Sequence, residues 1–108
     1  MKLKLKRHEF KTLLKEVGEM VTAKTESGFD PLGDEALSFC CLLSFYQKLF
    51  KKDTMFLGDK YSIEMSPADM IAFYQWFCDY PIDKDIYTFS LISRITNTIH
   101  QAMQTPNT

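Results

Sequence analysis

The sequence predicts a mostly helical domain with a minor antiparallel sheet, an α+β fold with four helices. Three observations predict it. Residues 1–6 and 60–65 alternate apolar and polar side chains, the period of a half-buried strand. Four longer segments carry apolar residues at helical spacing. The two strand–helix junctions repeat one pattern of residue classes at an offset of 60 residues.

The first run, MKLKLK, sets Leu3 and Leu5 against Lys2, Lys4 and Lys6. From Phe10 the period changes. Phe10, Leu13, Leu14, Val17, Met20 and Val21 form one stripe, so a helix is expected from about Arg7 to about Lys24. Gly18 weakens that helix by about 1 kcal/mol relative to Ala without breaking it. The segment ESGFDPLG, residues 26–33, is a loop with a turn at Asp30-Pro31. Asp34 then reads as an N-cap, with Glu35 in the first helical turn. The second helix runs to about Lys52. Its apolar residues, from Ala36 to Phe50, occupy most of the circumference, which predicts the central element, buried on more than one side. Lys48, Lys51 and Lys52 suit its C-terminal dipole.

Residues 53–65 suggest a hairpin around Gly58-Asp59, with Met55-Phe56-Leu57 as a first arm. The second arm is the firmer strand, because Tyr61, Ile63 and Met65 alternate with Lys60, Ser62 and Glu64. A third strand over 54–59 is left open. Ser66-Pro67-Ala68-Asp69 marks a helix start: Ser caps, Pro takes the first position, and Asp69 completes a capping box. Met70, Phe73, Tyr74 and Phe77 supply that helix's stripe, and Pro81 ends it. Asp83 or Asp85 caps the last helix, whose face carries Ile86, Phe89, Ile92, Ile95, Ile99 and Met103. Residues 104–108 are expected to fray.

The repeat matches Leu3, Leu5, Glu9, Phe10, Leu13, Leu14 and Val17 to Ile63, Met65, Asp69, Met70, Phe73, Tyr74 and Phe77. A second apolar helix follows each copy, which suggests a β-α-α duplication over residues 1–52 and 60–104. Two strands related by a twofold axis normal to their sheet run antiparallel. Setting Lys4 across from Glu64 brings Leu3 near Met65 and Leu5 near Ile63. A two-stranded ribbon leaves open edges, so a loop or a second chain is expected to cover them.

One domain over residues 1–108 fits the length. Apolar residues at 45% and charged residues at 25% describe a globular chain that needs no metal or disulfide to fold. Cys40, Cys41 and Cys78 are an odd set in apolar runs, read as buried free thiols in a reducing cytoplasm. No apolar run is long enough to span a bilayer, and residues 1–6 lack the apolar core of a leader.

The net charge of −1 disfavours general polyanion binding. It conceals a basic segment followed by an acidic one. Lys2, Lys4, Lys6, Arg7, Lys11 and Lys15 face only Glu9 within residues 1–15, and could contact phosphates. Six acids face only Lys24 within residues 16–39. The plainer reading of the lysines is a solvated strand face and helix flank. His8, His100 and the cysteines show no metal-ligand spacing, so no metal or other cofactor is expected. No nucleophile elbow or phosphate loop occurs, so no catalytic role is expected. Trp76, Tyr80 and Tyr87 are candidate interface anchors, against the plainer reading that Trp76 closes one side of the core.

The leading functional expectation is a small cytoplasmic, non-catalytic protein-interaction or adaptor domain that self-associates or docks a protein partner. The alternative is a nucleic-acid-associated protein using the basic strand and first-helix stripe.

Overall fold

The computed structural model describes residues 1–28, 33–55, 58–79 and 85–104. In chain order the elements are β1 (Lys2–Lys6), α1 (Arg7–Ser27), α2 (Ala36–Met55), β2 (Lys60–Glu64), α3 (Pro67–Phe77) and α4 (Ile86–Gln104). The order β-α-α therefore occurs twice. Helical neighbours form a ring, in which α1 and α3 each pack against both α2 and α4. The two strands pair antiparallel and turn Leu3, Leu5, Tyr61 and Ile63 toward the core. Phe10, Phe45, Phe73 and Phe77 fill its middle.

The register differs from the expected one by two residues. Leu3 faces Ile63, Leu5 faces Tyr61, Lys4 faces Ser62, and Lys2 faces Glu64. Because side chains alternate with period two, a two-residue shift keeps every residue on its expected face. The ends of the ladder account for the shift. Met1 and Met65 exchange backbone bonds of 3.1 and 2.8 Å, and Arg7 N–H donates to the Asp59 carbonyl at 2.8 Å. Inside, Tyr61 stacks on Phe10 with ring centroids 4.1 Å apart. The shift also sets Lys6 beside Lys60, an unfavourable like-charge pair.

Both strand–helix junctions use one device. Ser66 Oγ accepts from Asp69 N–H at 3.1 Å, while Asp69 Oδ2 accepts from Ser66 N–H at 3.0 Å. Sixty residues earlier, Glu9 Oε1 accepts from Lys6 N–H at 2.9 Å. Lys6 has no side-chain acceptor, so only this half of the capping box forms there.

Helix α1 passes through Gly18 and ends three residues later than expected, at Ser27. A Cβ at Gly18 would stand 3.0 Å from the Tyr46 ring, so its glycine admits α2 at close range. Helix α2 begins at Ala36, and no acid lies in its first turn. Asp34 and Glu35 therefore precede the helix. The Glu35 carbonyl accepts from Phe39 N–H, and the Glu35 carboxylate pairs with Lys24. Asp85, in contrast, receives Thr88 N–H at 3.0 Å, as a cap should. Of the segment 104–108 expected to fray, Gln104 is still helical. Asp83, Pro81 and residues 105–108 lie outside the described residues, as do Phe56 and Leu57. Met55 is helical, and among the described residues the sheet has two strands.

Helix α2 is not buried all round. Phe39, Leu42, Phe45 and Leu49 enter the core, but Leu37 is 77% and Phe50 53% exposed. Its two neighbours, α1 and α3, cover only part of its circumference. The same geometry corrects the thiols: Cys40 and Cys78 are exposed and Cys41 is partly buried. Ile86 and Met103, at the two ends of α4, are exposed as well, because the core contacts only its middle.

Candidate interaction surface

The outer face of the ribbon is the most strongly charged surface that the strands create. Alternation puts Lys2, Lys4 and Lys6 of β1 outward, all exposed. It puts Lys60, Ser62 and Glu64 of β2 outward beside them. Four of six outward side chains are therefore cationic, and one is anionic. At one end this face forms a concavity of about 370 Å³, where Lys4, Lys6, Lys60, Ser62, Glu9 and Arg94 meet. Arg94 reaches across from α4 to hold Glu9 at 2.8 Å. Burial pushes the Glu9 carboxyl up, but the Lys6 N–H, Arg94 and His8 outweigh it and hold it below its ordinary value of 4.5.

A carboxylate with a lowered folded pKa contributes stability above its unfolded pKa, and that contribution fades as pH falls through the folded value. Glu9→Gln is therefore expected to lower the urea midpoint at neutral pH. The two midpoints should converge as pH falls from roughly 7 to about 3. A gap that stays constant would show that the carboxylate charge is irrelevant.

The two edges of the ribbon differ. Residues 62 and 64 point their backbone groups away from β1, toward α2. There Lys48 Nζ donates to the Glu64 carbonyl at 2.8 Å, and Lys52 Nζ donates to the Ser62 carbonyl. Lys48 also holds Asp69 at 2.6 Å. The β2 edge is thus closed by ammonium groups from α2. On the β1 edge, nothing among the described residues bonds Lys4 N–H or the Lys2 and Lys4 carbonyls.

The sequence-predicted basic patch divides. Lys2, Lys4 and Lys6 share the ribbon face. Arg7 is exposed at the start of α1. Lys11 pairs with Asp53, and with Lys15 it lines a separate groove of about 550 Å³ between α1 and α2. Two cations of the ribbon concavity were not singled out from sequence. Strand alternation would have found Lys60. Arg94 lies 85 residues from Glu9 and carries no local signal.

The aromatic anchors are not gathered. Trp76 is partly buried, edge-on to Phe39 with centroids 5.9 Å apart. Its Nε1–H donates to Ser38 Oγ at 3.2 Å, and Lys24 Nζ lies 5.5 Å from its ring. Trp76→Ala is expected to cost about 2 kcal/mol of stability in urea unfolding, below the range for a fully buried Trp. A loss below about 0.5 kcal/mol would mean that Trp76 does not close the core. Tyr80 lies outside the described residues. Tyr87 is exposed, with its ring 5.8 Å from His8. Desolvation by its neighbours and then the Glu9 charge raise its hydroxyl pKa, against the opposing pull of Arg94.

Among the described residues, no three His, Cys, Asp or Glu side chains converge as a metal would require. No described helix is long and apolar enough to cross a membrane. No protein-family model, curated protein or solved structure matches this chain.

Proposed function

We propose that this chain is a non-catalytic interaction domain that docks an acidic protein segment on the outer face of its ribbon. The observation that carries the reading is the concentration of Lys2, Lys4, Lys6 and Lys60 on one exposed face. A solvated strand face needs some lysine to resist aggregation. Here Lys4, Lys6 and Lys60 line a concavity, and Lys2 and Lys4 lie on a strand edge whose groups no described residue bonds. An acidic polypeptide fits this face better than a nucleic acid does. The six outward strand side chains include no aromatic on which a base could stack. The three unbridged thiols, two of them exposed, suit a cytoplasmic setting.

The test is fluorescence anisotropy with a labelled acidic peptide, comparing the native chain with Lys4→Glu/Lys60→Glu. Both side chains are solvated, so the variant should fold. Binding is expected to weaken at least about tenfold and to fall with salt. Unchanged affinity would refute the reading. Tighter binding to a short DNA or RNA than to the peptide, with a steep salt slope, would favour nucleic-acid association instead.

Self-association is a second reading, carried by a different surface. Leu37 and the half-exposed Ile71 flank an apolar groove of about 300 Å³ between α2 and α3, with Cys41 and Ala68 in its lining. A second copy is its proposed occupant. Sedimentation should then detect a dimer that Leu37→Glu returns to monomer. A native chain that stays monomeric at high concentration would remove this reading.

A further inference from the structure

We infer that the free edge of β1 accepts the acidic segment as a third strand of the sheet. This rests on the proposed docking role of the ribbon face and specifies how the segment is held. The parity of the ladder fixes which groups are on offer. Met1 bonds Met65 and Arg7 bonds Asp59, so odd-numbered residues of β1 face β2 and even-numbered ones face outward. Lys6 N–H is already given to Glu9. Lys2 and Lys4 remain, both exposed, with their amide and carbonyl groups directed away from the sheet. The matching carbonyls on the opposite edge, of Ser62 and Glu64, are occupied by Lys52 and Lys48. One edge is therefore closed by the protein itself, and on the other no described residue bonds the Lys2 and Lys4 backbone groups.

Strand addition uses main-chain bonds for affinity and alternate side chains for selectivity. On an incoming strand every second side chain lies on the solvent face, beside Lys2, Lys4 and Lys6. Acidic residues at those alternate positions match the lysines. A second copy pairing β1 to β1 would set lysines next to lysines, which is repulsive. The occupant is therefore a different, acidic chain in extended conformation.

The probe is a synthetic peptide of about eight residues alternating glutamate and valine, a typical strand length. It is compared with the same peptide N-methylated along one edge and with an all-glutamate peptide. Amide exchange is followed on the isotope-labelled chain. The alternating peptide is expected to slow exchange at Lys4 by about tenfold or more, and N-methylation to weaken binding by about tenfold. Binding that leaves Lys4 exchange unchanged and tolerates N-methylation would overturn strand addition while leaving charge-driven docking intact. Failure of both unmethylated peptides to bind would overturn the docking role as well.

Discussion

Phe10→Ala is expected to lose about 3–5 kcal/mol of folding stability, a large share of the 5–15 kcal/mol typical of a domain. Phe10 has no exposed surface, and its ring lies parallel to Tyr61 at 4.1 Å. It is the contact through which α1 grips the second strand. Its deletion leaves a cavity at the junction of helix and sheet, and the backbone ladder on Tyr61 resists collapse into it. The melting temperature should fall by about 15–30 °C. Phe10→Leu keeps most of the volume and should lose only about 1–2 kcal/mol. A loss below about 1 kcal/mol for Phe10→Ala would mean that Phe10 and Tyr61 do not form the centre of the fold.

Asp69→Ala is expected to lose about 2–3 kcal/mol. Asp69 is 6% exposed, and its carboxylate serves two partners, Ser66 N–H and Lys48 Nζ. Losing the carboxylate half of the capping box contributes about 1 kcal/mol, and losing the charged bond to Lys48 contributes a similar or larger amount. Lys48 is half-exposed and keeps the Glu64 carbonyl, so its ammonium is not stranded. The equivalent Glu9→Ala should lose only about 1 kcal/mol, because Arg94 is largely solvated. Urea denaturation of both variants measures the ratio, and equal losses would contradict this difference. The two sites share an architecture: an acid three residues into the first helix of one half is held by a cation on the second helix of the other. That correspondence supports an internal duplication, which we hold as a proposal.

The sequence disclosed what is local. Alternation in MKLKLK and KYSIEM places each strand residue on its correct face, and Ser66-Pro67-Asp69 marks its helix start because a capping box spans only four residues. The non-local features stayed hidden. Alternation cannot distinguish registers two residues apart, so the Lys4–Ser62 pairing had to come from the ends of the ladder. Apolar content overstated the burial of α2, because the sequence does not say how many neighbours a helix has. Exposure of Leu37 and Cys40 is the result. The candidate surface was half legible. The β1 lysines stood out, but Lys60 joins them only through pairing, and Arg94 only through tertiary packing. The closure of one sheet edge by Lys48 and Lys52, which in sequence suit a helix C-terminus, has no sequence signal at all.

The most direct test is a two-dimensional NMR titration of the labelled chain with the alternating glutamate–valine peptide. Shifts are expected at Lys2, Lys4, Lys6 and Lys60, with the amides around Leu37, Cys41 and Ile71 unmoved. Shifts centred on Leu37, Cys41 and Ile71, with the ribbon unmoved, would contradict the assignment of the cationic ribbon as the docking surface.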